Sequence, residues 1–330
     1  MGKKIVFLGT GGTIAGTSQS ESDNVGYKAA QVGIERLLAS SPALQSALDG
    51  FGIDTEQVLQ VNSKDMTLPD WQHLLARVLH HLGQEEVFGI VITHGTDTIE
   101  ETAYFLHRAL PPRLLATRRI VLTCAMRPAS SSNADGPANL YDASTVAVSA
   151  ASAGDVLVVC AGVVHAATYV QKIHPYRLNP FDSGEAGPIG YVEEGVFRRI
   201  AAIPPAVSAR EEFDPHRFCH IDSPRVEIIV SHSGVSGTVV RALLYASARE
   251  PAPLRGIVVA GTGNGSIHED LEAALREAEQ AGIWIWRTSR CTYGQLVLGP
   301  ASLTEEFTAS HVSAVKARID MVLALAALSD

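Results

Sequence analysis

Four short apolar runs in the first half of the chain, Lys4–Leu8, Phe88–Thr93, Arg119–Ala125 and Val156–Ala161, lack the alternation of a half-exposed strand. Runs of this kind belong to parallel strands buried on both faces. Between them lie stretches with helical spacing, Asp70–Leu82, Thr98–Ala109 and Ala138–Ala151. Strand and helix in alternation predict a doubly wound α/β domain whose ligand site lies beyond the carboxyl ends of the strands. At 330 residues the chain exceeds what one core usually covers, so a smaller second α/β domain is expected. Its strands are read at Val226–Ser231, Gly256–Ala260 and Gly282–Trp286, and its helices at Gly237–Ala248, Glu269–Ala281 and His311–Leu328. The segment between is rich in charge and proline, with Glu193-Glu194, Pro204-Pro205, Glu211-Glu212 and Pro215. The expected division is therefore a large domain over 1–190, a linker over 191–224 and a small domain over 225–330.

Composition narrows the function. A net charge of -9 repels phosphate backbones, so nucleic acid is not an expected partner. The run Ile5–Leu8 ends at Gly9, too short for a signal-peptide core, and the stretch Val156–Ala167 is too short to span a bilayer. No membrane association is expected, and a cytoplasmic location is. The four cysteines, Cys124, Cys160, Cys219 and Cys291, form no C-x-x-C pair and read as free thiols in a reducing compartment. No His-x-x-x-His or His/Cys ligand spacing stands out among the 12 histidines, so no metal is expected.

Two loops carry the chemistry. Gly9-Thr10-Gly11-Gly12-Thr13 follows the first strand, and His94-Gly95-Thr96-Asp97-Thr98 follows the run ending at Thr93. The first is not a dinucleotide loop, because the third glycine of G-x-G-x-x-G is replaced by Ile14, and no Walker Gly-Lys follows. Thr13 after two glycines suits a presented nucleophile or, equally, a turn threonine. In the second loop Asp97-x-x-Glu100 and Thr98-x-x-Glu101 have capping-box spacing, which accounts for Asp97 or Thr98 but leaves Thr96 without a structural role. Hydroxyls and an acid at one end of a sheet point to nucleophilic hydrolysis. A third loop holds Ser63, Lys64 and Asp65, which serve as helix caps or surface groups unless they face the same site. Lys172 is either solvated or a base held in a cleft.

These segments together resemble the bacterial-type L-asparaginase family, which includes the glutaminase-asparaginases. The likeness is close in Thr10–Gly16 and His94–Leu106, and it continues through Ala125-Met126-Arg127-Pro128, Ala134–Leu140, Gly263-Asn264-Gly265 and Lys316-Ala317-Arg318. The resemblance implies a cofactor-free hydrolase of asparagine catabolism, a homotetramer or homodimer, that converts L-asparagine to L-aspartate and ammonia. By it Thr13 matches the nucleophile and Tyr27 the tyrosine that takes its proton. Thr96, Asp97 and Lys172 match a second catalytic cluster. Ser63 matches the residue that holds the substrate α-carboxylate, Asp97 the one facing its α-ammonium, and the Ala125 carbonyl lies near the departing nitrogen. Gly12 and Lys64 fall on substrate-lining positions.

Two departures from the family stand out. Lys64 occupies a position that often carries glutamine, and no residue aligns with the glutamate that periplasmic-type members donate from a neighbouring subunit. The short Cys291-x-x-Gly294 stretch is closer to the cytoplasmic-type members. Three alternatives accompany the asparaginase reading. One is relaxed glutaminase-asparaginase activity. Another is a non-catalytic amino-acid-binding relative. The third is an amidotransferase-type relative acting on tRNA-bound substrate, which the acidic charge and the start directly at the first strand argue against.

Overall fold

The computed structural model describes residues 2–203, 213–299 and 307–328. They form two compact units, each built on its own sheet. In the first, strand β1 (Lys4–Gly11) leads through short helices α1 (Ile34–Ala39) and α2 (Leu44–Ala47) to β2 (Gly52–Val61). Helix α3 (Leu68–Leu82) leads to β3 (Val87–Thr93). Helices α4 (Ile99–Ala109) and α5 (Pro112–Leu115) precede β4 (Arg119–Thr123), and α6 (Gly136–Val148) precedes β5 (Val156–Cys160). These strands pair in parallel in the order β2-β1-β3-β4-β5. The winding direction reverses between β1 and β3, which is where open α/β sheets form ligand crevices.

Both faces of this sheet are covered. Ile5, Phe7, Val91, Val121 and Leu157 pack with Leu140, Ala143 and Ala147 of α6. The intervening residues Val6, Leu8, Ile90, Ile92, Ile120 and Leu122 are 0% exposed on the other face. Burial on two sides is the physical reason these strands show no polar alternation. Helix α3 begins with a capping box between Thr67 and Asp70. It meets α4 through the stacked rings of Trp71 and Phe105, 5.1 Å apart.

The sheet continues beyond its parallel part. The apolar stretch 156–167 folds as a hairpin, because Ala161 and Gly162 adopt left-handed conformations (φ 52 and 74) and turn the chain into antiparallel β6 (Val163–Ala166). A two-residue turn of this hand matches strand twist, yet an alanine at its first position gives no turn signal in the sequence. A small ribbon, β7 (Gln171–Lys172) with β8 (Phe181–Asp182), stands apart from the main sheet. The antiparallel pair β9 (Gly190–Glu193) and β10 (Val196–Arg199) then extends the sheet edge. Residues 190–193 and 196–199, which include the start of the expected linker, are therefore strand. Of the two acids that suggested a linker there, Glu193 pairs across the strands with Arg198 at 2.6 Å. Residues 204–212 of that expected linker lie outside the described residues. Helix α7 (Pro215–Phe218) belongs to the first unit, and its Phe218 packs against Phe105.

The second unit is a parallel sheet, β11 (Arg225–Val230), β12 (Leu254–Gly261), β13 (Trp284–Ser289) and β14 (Thr308–Ala309), in that order. Helices α8 (Thr238–Ser247) and α9 (Glu269–Gln280) lie between its strands in the chain, and α10 (Ala314–Ala327) follows the last of them. Ile229, Ile257, Val259, Leu271 and Leu275 share one core. Gly282, at φ 85, turns the chain out of α9, so β13 starts two residues later than the sequence pattern suggests. Cys124 and Cys160 are buried and free, whereas free Cys291 is exposed. Among the described residues no helix is long and apolar enough to cross a membrane.

Ile90, fully buried on β3, tests the core. Ile90→Ala is expected to lower the unfolding free energy by about 2–5 kcal/mol, read as a drop in the denaturant midpoint of the first unit.

Candidate active site

Three loops leave the carboxyl ends of the neighbouring strands β2, β1 and β3, and they touch. Gly12 has φ 77, and a Cβ there would run into the backbone of Gly95. A Cβ on Gly95 would in turn collide with Ser63 Oγ. Only glycine permits this approach, and it brings residues 13, 63 and 96 to one place. Hydrogen bonds lock the arrangement. Gly12 N donates to Val61 O at 2.9 Å, Thr10 Oγ1 to Thr93 O at 2.9 Å and Thr98 Oγ1 to Ser63 O at 2.8 Å.

Two hydroxyls are polarised from different directions. Thr13 Oγ1 lies 2.7 Å from the Tyr27 hydroxyl. Tyr27 reaches it because its loop folds back, with Lys28 paired to Thr17 and Ala30 N donating to Gly12 O. Lys172 Nζ donates to Thr96 Oγ1 at 2.9 Å and to Asp97 Oδ1 at 2.6 Å. The Lys172 side chain is 16% exposed and that of Asp97 51%, so the ammonium sits at the boundary between protein and solvent. Ser63 Oγ is buried with no hydrogen-bond partner among the described residues. Lys64 turns away to Asp65 at 2.7 Å, its side chain 60% exposed.

The helix-cap expectations for these loops are not met. Thr98 stands at the N-cap position of α4 but makes no side-chain cap, because its hydroxyl is committed to Ser63 O. Glu100 accepts from the backbone N–H of Lys172 at 2.5 Å, so a side chain expected in a capping box anchors the ribbon that carries Lys172. Thr67, not Ser63 or Asp65, caps α3. Ala125 is fully buried just past β4. The Asp135 carboxylate accepts from both Met126 N and Arg127 N at 2.9 Å, and Asn139 Nδ2 donates to Cys124 O. A trans peptide opposes its N–H and C=O, so the Asp135 bond to Met126 N turns the Ala125 carbonyl the other way. Asp135 and the hydrogen-bond partners of His94 were not singled out from the sequence, and Glu100 was read there only as part of a capping box. Asp135 and Thr102 did lie within family-like stretches, but the contacts of Glu100 with Lys172 and of Thr102 with Trp71 join residues far apart in the chain and leave no local pattern.

His94 is fully buried, and burial lowers its pKa to about 4. Nδ1 lies 2.8 Å from Gly95 O and Nε2 2.9 Å from Thr102 Oγ1. Among the described residues no group of three or more His, Cys, Asp or Glu is placed to hold a metal ion.

The fold and site define a two-unit α/β protein with hydroxyl clusters at the switch point of its larger sheet. The chain belongs to the asparaginase family: the family model described as Asparaginase, N-terminal matches residues 4–203, and that described as Glutaminase/Asparaginase C-terminal domain matches 225–330. It is 36% identical over 331 residues to Glutaminase-asparaginase of Pseudomonas fluorescens biotype A, covering 99% of this chain and 87% of the relative. L-asparaginase 2 of Bacillus subtilis is 32% identical over 328 residues, covering 99% and 83%. Among solved structures, the probable cytoplasmic L-asparaginase of Campylobacter jejuni superposes with a TM-score of 0.89 at 32% identity, covering 99% of this chain and 96% of that one.

The buried histidines set a pH dependence of stability. His165, hydrogen-bonded to Ser183 at 2.8 Å, is also lowered to about 4 by burial. Unfolded histidines titrate near pH 6.5. Each buried imidazole therefore contributes fully above that pH and loses its contribution as the pH falls toward 4, because only the unfolded chain takes up the proton. Partly exposed Asp142, raised to about 6 by burial, acts in the opposite sense and loses its contribution as pH rises through that value. With two histidines against one carboxyl, the unfolding free energy is expected to fall by a few kcal/mol, on the order of 3, between pH 6.5 and 4. Denaturant titrations across that range check this, with a shallower slope expected for His165→Asn.

Proposed function

We propose that the chain hydrolyses the side-chain amide of L-asparagine to L-aspartate and ammonia, with Thr13 as nucleophile and without a cofactor. One observation carries the reading: two separately polarised hydroxyls, Thr13 on Tyr27 and Thr96 on Lys172 and Asp97, stand on loops whose backbones touch. An amide is a poor electrophile. It needs an activated hydroxyl, a donor for the oxyanion and a proton for the leaving nitrogen. Thr13 Oγ1 attacks the amide carbon while its proton passes along the 2.7 Å bond to the Tyr27 oxygen, which at the same time releases its own hydroxyl proton toward the amide nitrogen. The oxyanion is met by backbone N–H groups near Thr96. With that proton on the nitrogen, the C–N bond breaks, and ammonia leaves an aspartyl ester on Thr13. A water activated at the Thr96–Lys172–Asp97 cluster then attacks the ester, a proton returns to Thr13 and aspartate departs.

The substrate is a zwitterion and needs two opposite contacts. Ser63 Oγ, buried and unpartnered, is the donor for the α-carboxylate. Asp97, half-exposed, faces the α-ammonium. Gly12 and the Ala125 carbonyl line the reacting amide. Lys64, held by Asp65, stands beside Ser63 as a rim cation. Relatives named both for asparaginase and for glutaminase-asparaginase activity support L-glutamine as a second amide. A homotetramer or homodimer is the assembly proposed, supported by the exposed apolar side chains of Val25, Ile173, Tyr176 and Leu178 on loops that carry Tyr27 and Lys172. A cytoplasmic location is supported by the exposed free thiol of Cys291 and the Campylobacter relative.

Ammonia release from L-asparagine by the purified chain tests the reading. Thr13→Ala is expected to lower kcat by about 10⁴-fold or more with the fold retained. Binding of asparagine with no ammonia released would replace the enzyme with an amino-acid-binding protein, and kcat/KM for the two amides ranks asparagine against glutamine. Ser63→Ala is expected to raise KM about tenfold with kcat nearly unchanged, since a hydrogen bond to a charged group is worth about 1.5–3 kcal/mol.

A further inference from the structure

His94 lies under the loop that carries Thr96 and has no part in the reaction above. Its bonds have directions that can be deduced. A carbonyl oxygen only accepts, so the bond to Gly95 O places the proton on Nδ1. The buried imidazole stays neutral above pH 4 or so, which leaves Nε2 to accept from the Thr102 hydroxyl at 2.9 Å. Trp71 Nε1, which only donates, gives its proton to Thr102 Oγ1 at 2.9 Å. Met66 Sδ lies against the same edge, 2.9 Å from Nε2. One directed chain results: indole N–H to threonine hydroxyl, hydroxyl to imidazole, imidazole N–H to the Gly95 carbonyl. Trp71, His94 and Thr102 are all buried, and they join α3, the loop after β3, and α4.

The chain ends on a peptide plane. In a trans peptide the Gly95 C=O and the Thr96 N–H point in opposite directions. Fixing the carbonyl to His94 turns the Thr96 N–H away from the side packed by α3 and α4. Among the described residues no acceptor meets that N–H, although Thr96 is 4% exposed. Buried backbone donors are seldom left unmet. We infer that His94, oriented by Thr102 and Trp71, is the positioning residue that aims the Thr96 N–H at the oxyanion formed in amide hydrolysis. The inference rests on the proposed reaction. Each bond in such a chain polarises the next, so the far N–H becomes a stronger donor as well as a fixed one. A donor held in place before the charge develops stabilises the transition state more than the bound substrate.

Steady-state ammonia release from L-asparagine by the wild type, His94→Leu, His94→Asn and Thr102→Val is the test, each variant checked by circular dichroism and thermal unfolding. His94→Leu is expected to lower kcat about 10²-fold while KM stays within about threefold. His94→Asn, whose amide nitrogen stands close to where Nδ1 stood, is expected to recover about tenfold of that loss, and Thr102→Val to lower kcat about tenfold. A folded His94→Leu enzyme with wild-type kcat, a parallel loss in kcat and KM, or no recovery in His94→Asn would overturn the inference and leave the proposed reaction standing. A wild type that releases no ammonia would overturn both. Imidazole ¹⁵N spectra of the wild type add a readout that needs no variant to fold: a proton on Nδ1 of His94 is expected, and one on Nε2 overturns the relay.

Discussion

The site depends on two backbones passing within contact of each other. Gly12 and Gly95 stand at the ends of adjacent parallel strands, and neither tolerates a side chain where it meets the other. Adjacent strands are about 4.8 Å apart, so loops leaving their ends can share a cavity only if nothing fills the gap. The glycines keep the gap clear, and the two polarised hydroxyls ride one residue beyond them, at Thr13 and Thr96. Sheet order supplies the rest, because β1 lies between β2 and β3 and so brings Ser63 to the same spot.

Around that contact the protein uses backbone geometry as much as side-chain chemistry. The Asp135 carboxylate orients the peptide after Ala125, and the His94 imidazole orients the peptide after Gly95. In each case a buried side chain grips one end of a planar unit and thereby fixes the other. A loop built only of flexible residues would have to give up more conformational freedom when substrate binds.

Much of the fold was legible in the sequence because it depends on patterns within ten residues. Ile5–Leu8 and Phe88–Thr93 read as buried strands and are, since burial on both faces leaves an unbroken apolar run. The β5–β6 hairpin was hidden because an alanine occupies a left-handed turn position. Strand β2 was hidden as well, since it lies at the sheet edge and most of its residues are exposed or only partly buried. In the candidate site, the loop residues Thr13, Ser63, Thr96 and Asp97 could be picked out as chemistry-bearing positions, and the structure brings them together with Tyr27 and Lys172. Their supports could not be read. Thr98 and Glu100 have the local spacing of helix caps, and only the fold reveals that their oxygens are engaged 35 and 72 residues away.

Lys172 reaches the site on a ribbon of two short strands outside the main sheet, and Glu100 holds that ribbon by a main-chain amide. A grip on the main chain is indifferent to what hangs from it. Any residue except proline, which lacks the N–H, would be delivered to the same address. The residue at position 172 can therefore be exchanged in the course of evolution without rebuilding its scaffold, while Thr13, which follows a glycine held against Gly95, has no such licence.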